Sequence, residues 1–572
     1  AVHSGQPKEV EGLFNSPGDD KYLLQMAASR GGLRRIQVAM IPAPPGWPGQ
    51  GSYWIVFHTY QMIEEDHDVV CKVVSTPKGM RVGPEIPEDD LAGWRIDRQQ
   101  YTARLTPENS TAMISDKLWL RKGSAQRAPV FRLNDIYSLS DPNLVVETEQ
   151  ALIRPRAGQT VRAGSLLIPW TDQPEATYAF NYSVEMSEGR DDEITSTDAY
   201  LTGWWLPTLG QLPYTVEGAI EAPAKWIVRG EGNIGPVEMK GDRKVSHFSC
   251  PLPISFPKVI GGLYTLAAEK TTADGAFRIY QMAPLDPLRA SVDLKNMVDA
   301  AAFYGKVLGP LPFRGYECYD AYRYYGIESY SHTLLQRSVT HFISHEMGHS
   351  YFGGMAPCAY VHDTWNEGVT QYLDSVGVLG DSDGSLEKGL KTVGLNVPLS
   401  QMPIPWQYGD ASYFRGCYVV KMLEAEIGLP RVYAALRAIA TERKGLDTRW
   451  ADLRPHFEKA GGKKLDWFWN QWVVNGTFPT LTWSHSTQPD PKGGFVTTFS
   501  VSQSGTARPF RLRFRVQAGA GAEFGVQQVV LDEKSKAFEV KTAGNPTAFK
   551  LDVFPLTLAT VKEVPSKPAS AG

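Results

Sequence analysis

The sequence is poor in the features that would settle its class at once. Five cysteines stand among 572 residues, at Cys71, Cys250, Cys318, Cys358 and Cys417. They are odd in number, scattered and without a C-x-x-C pair, which excludes a disulfide framework and cysteine-rich zinc modules. Charge of one sign is lacking too: 58 Lys+Arg against 62 Asp+Glu leave a formal net charge of −4. So weak a field does not steer a chain onto phosphate backbones or anionic lipid, and nucleic acid is excluded as a general partner. No apolar run approaches the roughly 20 residues that cross a bilayer, which excludes stable membrane insertion by a helix. Neither a basic, then apolar leader nor a cysteine for lipid attachment stands at Ala1, so the expectation is a soluble, processed chain. What is plentiful is Trp, Tyr and Pro, at 15, 25 and 40 residues. That composition fits aromatic-rich β-sheet with turns and is read as extracytoplasmic, either periplasmic or secreted.

At about 100–200 residues per domain, the length predicts three to five domains, each able to bury a core. From Gln37 to about Pro287 short alternating or β-branched runs recur between Gly, Pro and Asp; the clearest are Tyr53 to His58, Val69 to Val74, Tyr178 to Val184 and Val259 to Ala267. The Pro/acid-rich stretch Gly83 to Asp90 predicts a boundary between a small first domain and a larger β domain. From Ala290 the period becomes helical, with Val292, Leu294, Met297, Val298, Ala301, Phe303 and Val307 on one stripe that stops at Gly309-Pro310. Helical patterns follow over Leu334 to Phe352, Val369 to Leu379, Tyr418 to Ile427, Val432 to Thr441 and Leu465 to Val474. After Pro479 alternation returns as far as Val561, predicting a compact antiparallel β module, and Pro565 to Gly572 reads as a disordered tail.

The chemistry is carried by His345-Glu346-Met347-Gly348-His349. Histidines at i and i+4 lie one above the other on a helix face, so both imidazoles reach one ion while Glu346 projects beside them. A catalytic zinc wants three protein ligands and an open position for water, so a third ligand must come from a later element. His362, Asp363 and Glu367 are the candidates. Glu367 is favoured, because it opens a helix whose Val369, Tyr372, Leu373 and Val376 share one stripe, and Gly353-Gly354 allows the chain to turn back. His341 lies a further turn away on the same face and reads as a packed neighbour, and His332 and His362, though near in sequence, are not expected to line the cleft. Gly380-Asp381-Ser382-Asp383-Gly384 matches G-x-S-x-G, but a helix precedes it where a nucleophile elbow needs a strand, so it reads as an exposed turn.

Taken in order, His345 to His349, Asn366-Glu367-Gly368 and Tyr413-Phe414-Arg415-Gly416 resemble the gluzincin aminopeptidases of the aminopeptidase N and leukotriene hydrolase type. The segments Leu465 to Trp472, Thr477-Phe478-Pro479, Gly261 to Ala267 and Arg278-Ile279-Tyr280 add to the likeness, which covers roughly Trp94 to Val561. The resemblance implies Glu367 as the third zinc ligand and Tyr413 as the oxyanion donor. It also implies an α+β multidomain fold: an appended domain over 1–93, a saddle-like β domain over 94–286, a thermolysin-like, mainly helical catalytic domain over 287–480 and a β-sandwich over 481–562. There are departures. Between His349 and Glu367 lie 17 residues, one fewer than the family usually has, and Arg415 replaces its Lys. Tyr351 and Gly354 stand where Trp and Asn are common. The family's Gly-Ala-Met-Glu-Asn loop is reduced to Tyr325-Gly326-Ile327-Glu328-Ser329.

The expectation is one Zn²⁺ per chain held by His345, His349 and Glu367, with Glu346 as general base and acid on a peptide substrate. An exopeptidase must recognise a free α-ammonium, and Glu328 is the carboxylate expected to do so. Two other readings stand beside aminopeptidase: an endopeptidase or hydrolase of modified peptides on the same zinc site, and an inactive binding or scaffold homologue.

Overall fold

Strands Trp94–Thr106 and Thr111–Lys122 alternate buried and exposed residues almost without interruption, the period-two pattern of a sheet with one covered face. The computed structural model that shows this describes residues 35–42, 53–60, 67–77, 79–85, 93–124, 130–132, 146–147, 152–153, 165–167, 173–186, 192–202, 205–209, 212–255, 257–322, 326–358, 360, 363–401 and 410–565. The fold is mixed α+β. Two units are recognised, one of residues 1–305, 310–361 and 443–447, the other of residues 306–309, 362–442 and 448–572.

In the first unit, Arg35–Pro42, Tyr53–Tyr60, His67–Thr76 and Gly79–Glu85 form an antiparallel sheet in chain order. A six-stranded sheet follows in the order Glu175–Glu185, Thr111–Lys122, Trp94–Thr106, Tyr214–Pro223, Arg243–Ile254, Asn233–Lys240. A four-stranded sheet, Glu193–Ile194, Asp198–Leu201, Val259–Gly262 and Ile227–Gly230, shares its core. Asp198–Leu201 and Val259–Gly262 are buried at every residue because both faces are covered. Leu201 packs into the large core with Tyr101 and Trp205, whereas its neighbour Tyr200 enters a second core with Ile260, Tyr264 and Tyr319.

Beyond that second core lies a five-stranded sheet, in the order Thr265–Thr272, Gly275–Gln281, Gly315–Ala321, His332–Gln336, Gly326–Ile327. Its three middle strands are parallel and its edge strand Gly326–Ile327 is antiparallel. A parallel neighbour needs a crossover, supplied by helix Pro287–Leu308. Asp320 holds that crossover to the sheet by accepting from Arg289 and Arg337, both at 2.8 Å. Leu334 and Leu335, read from the sequence into a long helix ending at Phe352, belong instead to the strand His332–Gln336. A strand flanked on both sides and buried reads as an apolar run, which periodicity does not separate from a helix. Helix begins only with the short 3₁₀ turn Thr340–Phe342 and continues as Ile343–Gly348.

In the second unit, helix Trp365–Gln371 runs into π-helical Tyr372–Val378, and π-helical Ala411–Arg415 runs into helix Gly416–Ile427. Leu429–Glu442 and Trp450–Gly461 pack beside them. Two sheets then close the chain: Ser535–Thr542, Phe495–Ser504, Thr480–Pro489, Thr560–Glu563, and Glu523–Leu531, Leu512–Ala520, Ala548–Asp552. Their inner faces meet where the Phe514 and Phe538 rings lie edge to face at 5.7 Å. Among the described residues no helix is long and apolar enough to cross a membrane. The expected tail lies outside the described residues from 566 onward.

Candidate metal centre

The helix Ile343–Gly348 is only six residues long, too short to be stable by its own hydrogen bonds. Hydroxyls from neighbouring elements hold it. Tyr304, on the crossover helix, donates to the Ser344 carbonyl at 2.9 Å. Tyr316, on the parallel strand Gly315–Ala321, shares its one hydroxyl proton between the Glu346 carbonyl at 3.0 Å and the Ser329 carbonyl at 3.2 Å. Burial, then the negative charge of Glu346, keeps the Tyr316 hydroxyl protonated, well above its ordinary pKa.

His345 and His349 project from one face, as their spacing requires, and both are buried. Their rings stand nearly perpendicular, and their Nε2 atoms face each other at 3.2 Å. The far nitrogen of His349 is engaged: Nδ1 lies 3.1 Å from the Phe352 carbonyl and 2.8 Å from Glu328 Oε2. Both partners are acceptors, so the ring proton is assigned to Nδ1, which leaves the Nε2 lone pair directed at His345. Two nitrogens on tetrahedral bonds of ~2.0–2.1 Å to one ion stand about 3.3 Å apart. The imidazole pair therefore fits zinc without rearrangement. Glu346, between the two histidines in sequence, is half-buried.

Glu367 lies in the first turn of Trp365–Gln371, a helix whose seven residues are all buried. Its start is fixed by Asp363, whose carboxylate accepts from the backbone N–H of Trp365 and of Trp450 at 3.2–3.4 Å. Burial pushes the Asp363 carboxyl up to about 7. Asp363 thus accepts from the first N–H of two helices, and His362, the other alternative ligand, lies outside the described residues. Two motif glycines place the next element. A Cβ on Gly368 would stand 2.6 Å from the Gly416 Cα, and the reverse holds, so the backbones cross where no side chain fits. Tyr413, half-buried on Ala411–Arg415, is brought by this crossing onto the element that touches the Glu367 helix. Arg415 turns away from it. Its guanidinium donates to the Thr392, Leu395 and Val397 carbonyls at 2.7–2.9 Å, and burial lowers its pKa to about 10.

Among the described residues, His345 and His349 belong to the first unit and Glu367 to the second, and all three are buried. Glu328 follows the edge strand Gly326–Ile327, and Tyr360 donates to its Oε1. Tyr325, the first residue of the reduced loop, lies outside the described residues. His332 is fully buried beside Ser329 and Ser331, and burial holds it well below its ordinary pKa. His341 is exposed and its ring lies tilted against that of Phe342, at 4.1 Å between centroids. The tyrosines that hold the site, Tyr304, Tyr316 and Tyr360, were not legible in the sequence: each acts across tens of residues or from an irregular loop, with no spacing signal.

No protein-family model matches the sequence, and no curated protein matches it. Among solved structures the chain is similar to Legionella pneumophila aminopeptidase A, crystallised in complex with aspartic acid. The TM-score is 0.67 at 12% sequence identity, over 82% of this chain and 59% of that one. At that identity the likeness shows a shared fold, and this chain spans little more than half of that structure's length.

Proposed function

We propose that the chain is a zinc-dependent metallopeptidase that acts as an aminopeptidase, with His345, His349 and Glu367 as the metal ligands. The observation that carries the reading is the pair of buried imidazole nitrogens facing each other at 3.2 Å, with Nδ1 of His349 already occupied. Two lone pairs aimed at one point repel unless a cation or a proton lies between them. When bound, zinc supplies a polarised scissile carbonyl and a water of lowered pKa. The chain's own residues do the rest. Glu346 takes the proton of the attacking water and returns it to the leaving amine. Tyr413 donates to the oxyanion as the carbonyl carbon becomes tetrahedral. The aminopeptidase assignment is supported by the resemblance of the motifs and by a fold shared with an aminopeptidase. A saddle-like β domain ahead of a thermolysin-like catalytic block, with the boundaries given above, belongs to the same proposal, as does location outside the cytoplasm.

An endopeptidase on the same zinc site is a second reading, favoured by one observation. The Glu328 carboxylate faces His349 and Tyr360, where an amine anchor would face the incoming substrate. One experiment tests both. The purified chain is analysed for metal and assayed on peptides with free and with acetylated N-termini, beside Glu346→Gln. The proposal expects one zinc per chain in both proteins, turnover in the wild type alone, and cleavage restricted to free N-termini. Equal cleavage of acetylated peptides selects the endopeptidase; absence of zinc, with no activity on adding it, ends both readings.

A further inference from the structure

We infer that Glu328 is a positioning residue for His349, in place of the amine-anchoring role that the resemblance implied. The inference rests on the reading of His349 as a metal ligand. Glu328 Oε2 stands 2.8 Å from His349 Nδ1, whose proton it shares with the Phe352 carbonyl at 3.1 Å, and Oε1 accepts from the Tyr360 hydroxyl. The side chain is 12% exposed and His349 is 1% exposed, so water competes little for this contact.

The segment that carries Glu328 is held from several sides. Its own carbonyl accepts from the Lys258 ammonium. Ser329 donates to Glu231 Oε1 at 2.7 Å, the Tyr330 N–H donates to Glu231 Oε2 at 3.3 Å, and Tyr316 donates to the Ser329 carbonyl. A carboxylate fixed this firmly against a ligating imidazole locks its tautomer and ring plane and makes Nε2 a stronger donor to a metal. A substrate ammonium would have to displace both a phenol and an imidazole to reach the same oxygens, so recognition of a free N-terminus falls to other groups.

The test is zinc affinity, measured by chelator competition on wild type, Glu328→Ala, Glu328→Gln and Tyr360→Phe, with visible absorption of the cobalt-substituted proteins as a second readout. Loss of the carboxylate is expected to weaken zinc about 10–100-fold and to alter the cobalt spectrum. Gln, whose amide oxygen still accepts from Nδ1–H, recovers part of the loss, and Tyr360→Phe loses less than Ala. For peptides with free and acetylated N-termini, the ratio of KM values stays that of the wild type while kcat falls. Zinc affinity within about twofold of wild type, with KM raised for free N-termini alone, overturns the inference and restores the amine anchor. Should Glu328→Ala fail to fold, the Gln and Phe variants decide by the same criterion. Failure of the zinc reading itself is seen separately, as absence of zinc binding by the wild type.

Discussion

The two short helices that carry the proposed ligands are both buried but differ in what fixes them from outside. Ile343–Gly348, with the histidines, is suspended from tyrosine hydroxyls that reach its carbonyls from a helix and a strand elsewhere. Trp365–Gln371, with Glu367, has its first N–H bonded to Asp363 but its body set by contact: its Gly368 meets Gly416 with no room for a methyl group. Directional bonds are individually weak and replaceable, each contributing about 1 kcal/mol, whereas backbone contact fails steeply once an atom is inserted. The histidine helix should therefore tolerate single changes in its supports, and the glutamate helix should not.

The largest effect is expected beside the contact-held helix. Tyr413→Phe removes a hydroxyl without disturbing the Gly368–Gly416 crossing, and should lower kcat by about 10²–10³ with KM little changed, the usual loss for one oxyanion donor. A loss confined to KM would make Tyr413 a substrate-binding residue. Next comes Gly368→Ala. The new Cβ meets backbone, which cannot rotate away, so a cost of about 2–3 kcal/mol and weakened zinc retention are expected, read by thermal unfolding and metal analysis. A stable, zinc-replete Gly368→Ala would break the comparison outright.

What was legible in the sequence follows the same division. The i, i+4 histidines and the glycines of Asn366-Glu367-Gly368 and Tyr413-Phe414-Arg415-Gly416 are local signals, because helix geometry and the lack of a side chain act over a few residues. The change from β-rich to helical sequence near Pro287 was legible for the same reason, and the structure starts its crossover helix at Pro287. The supports were not legible. Tyr304 reaches Ser344 across 40 residues, and the partner of Glu328 depends on which strand forms the sheet edge. The strand His332–Gln336 was hidden by burial on both sides, which erases alternation. Arg415, seen only as a replacement for Lys, proves to bind the carbonyls of residues 392–397, a role no spacing could announce.

A pH dependence sharpens the comparison from the side of the glutamate helix. The Asp363 carboxyl that accepts from the first N–H of Trp365–Gln371 is pushed up to about 7 by burial, above its unfolded value of 3.8. The folded state therefore binds the extra proton, and stability is lost as pH rises through 7. Between pH 6 and 8 the loss is on the order of 1 kcal/mol. Asp363→Asn still accepts both N–H groups but cannot ionise, so its melting temperature should fall less over that interval. Equal falls in wild type and variant would assign the dependence to other groups, Glu231 first, whose carboxyl burial also raises to about 7.

The smallest effect is expected from the suspended helix, and its smallness is the point. Tyr304→Phe keeps the ring and its contact with Tyr351 and removes one hydroxyl from the Ser344 carbonyl. That carbonyl is buried, so the loss is about 1 kcal/mol in unfolding free energy. The second support, from Tyr316 to the Glu346 carbonyl, stays in place, and the histidine spacing is set by the helix itself. Zinc affinity should thus stay within about threefold of wild type. Combining Tyr304→Phe with Tyr316→Phe removes both supports of one six-residue helix, and the two losses should then exceed their sum, because neighbouring supports of one element couple. Strict additivity in the double variant, measured by denaturant unfolding, would mean that the helix is held by its packing after all, and that the two ligand helices do not differ in kind.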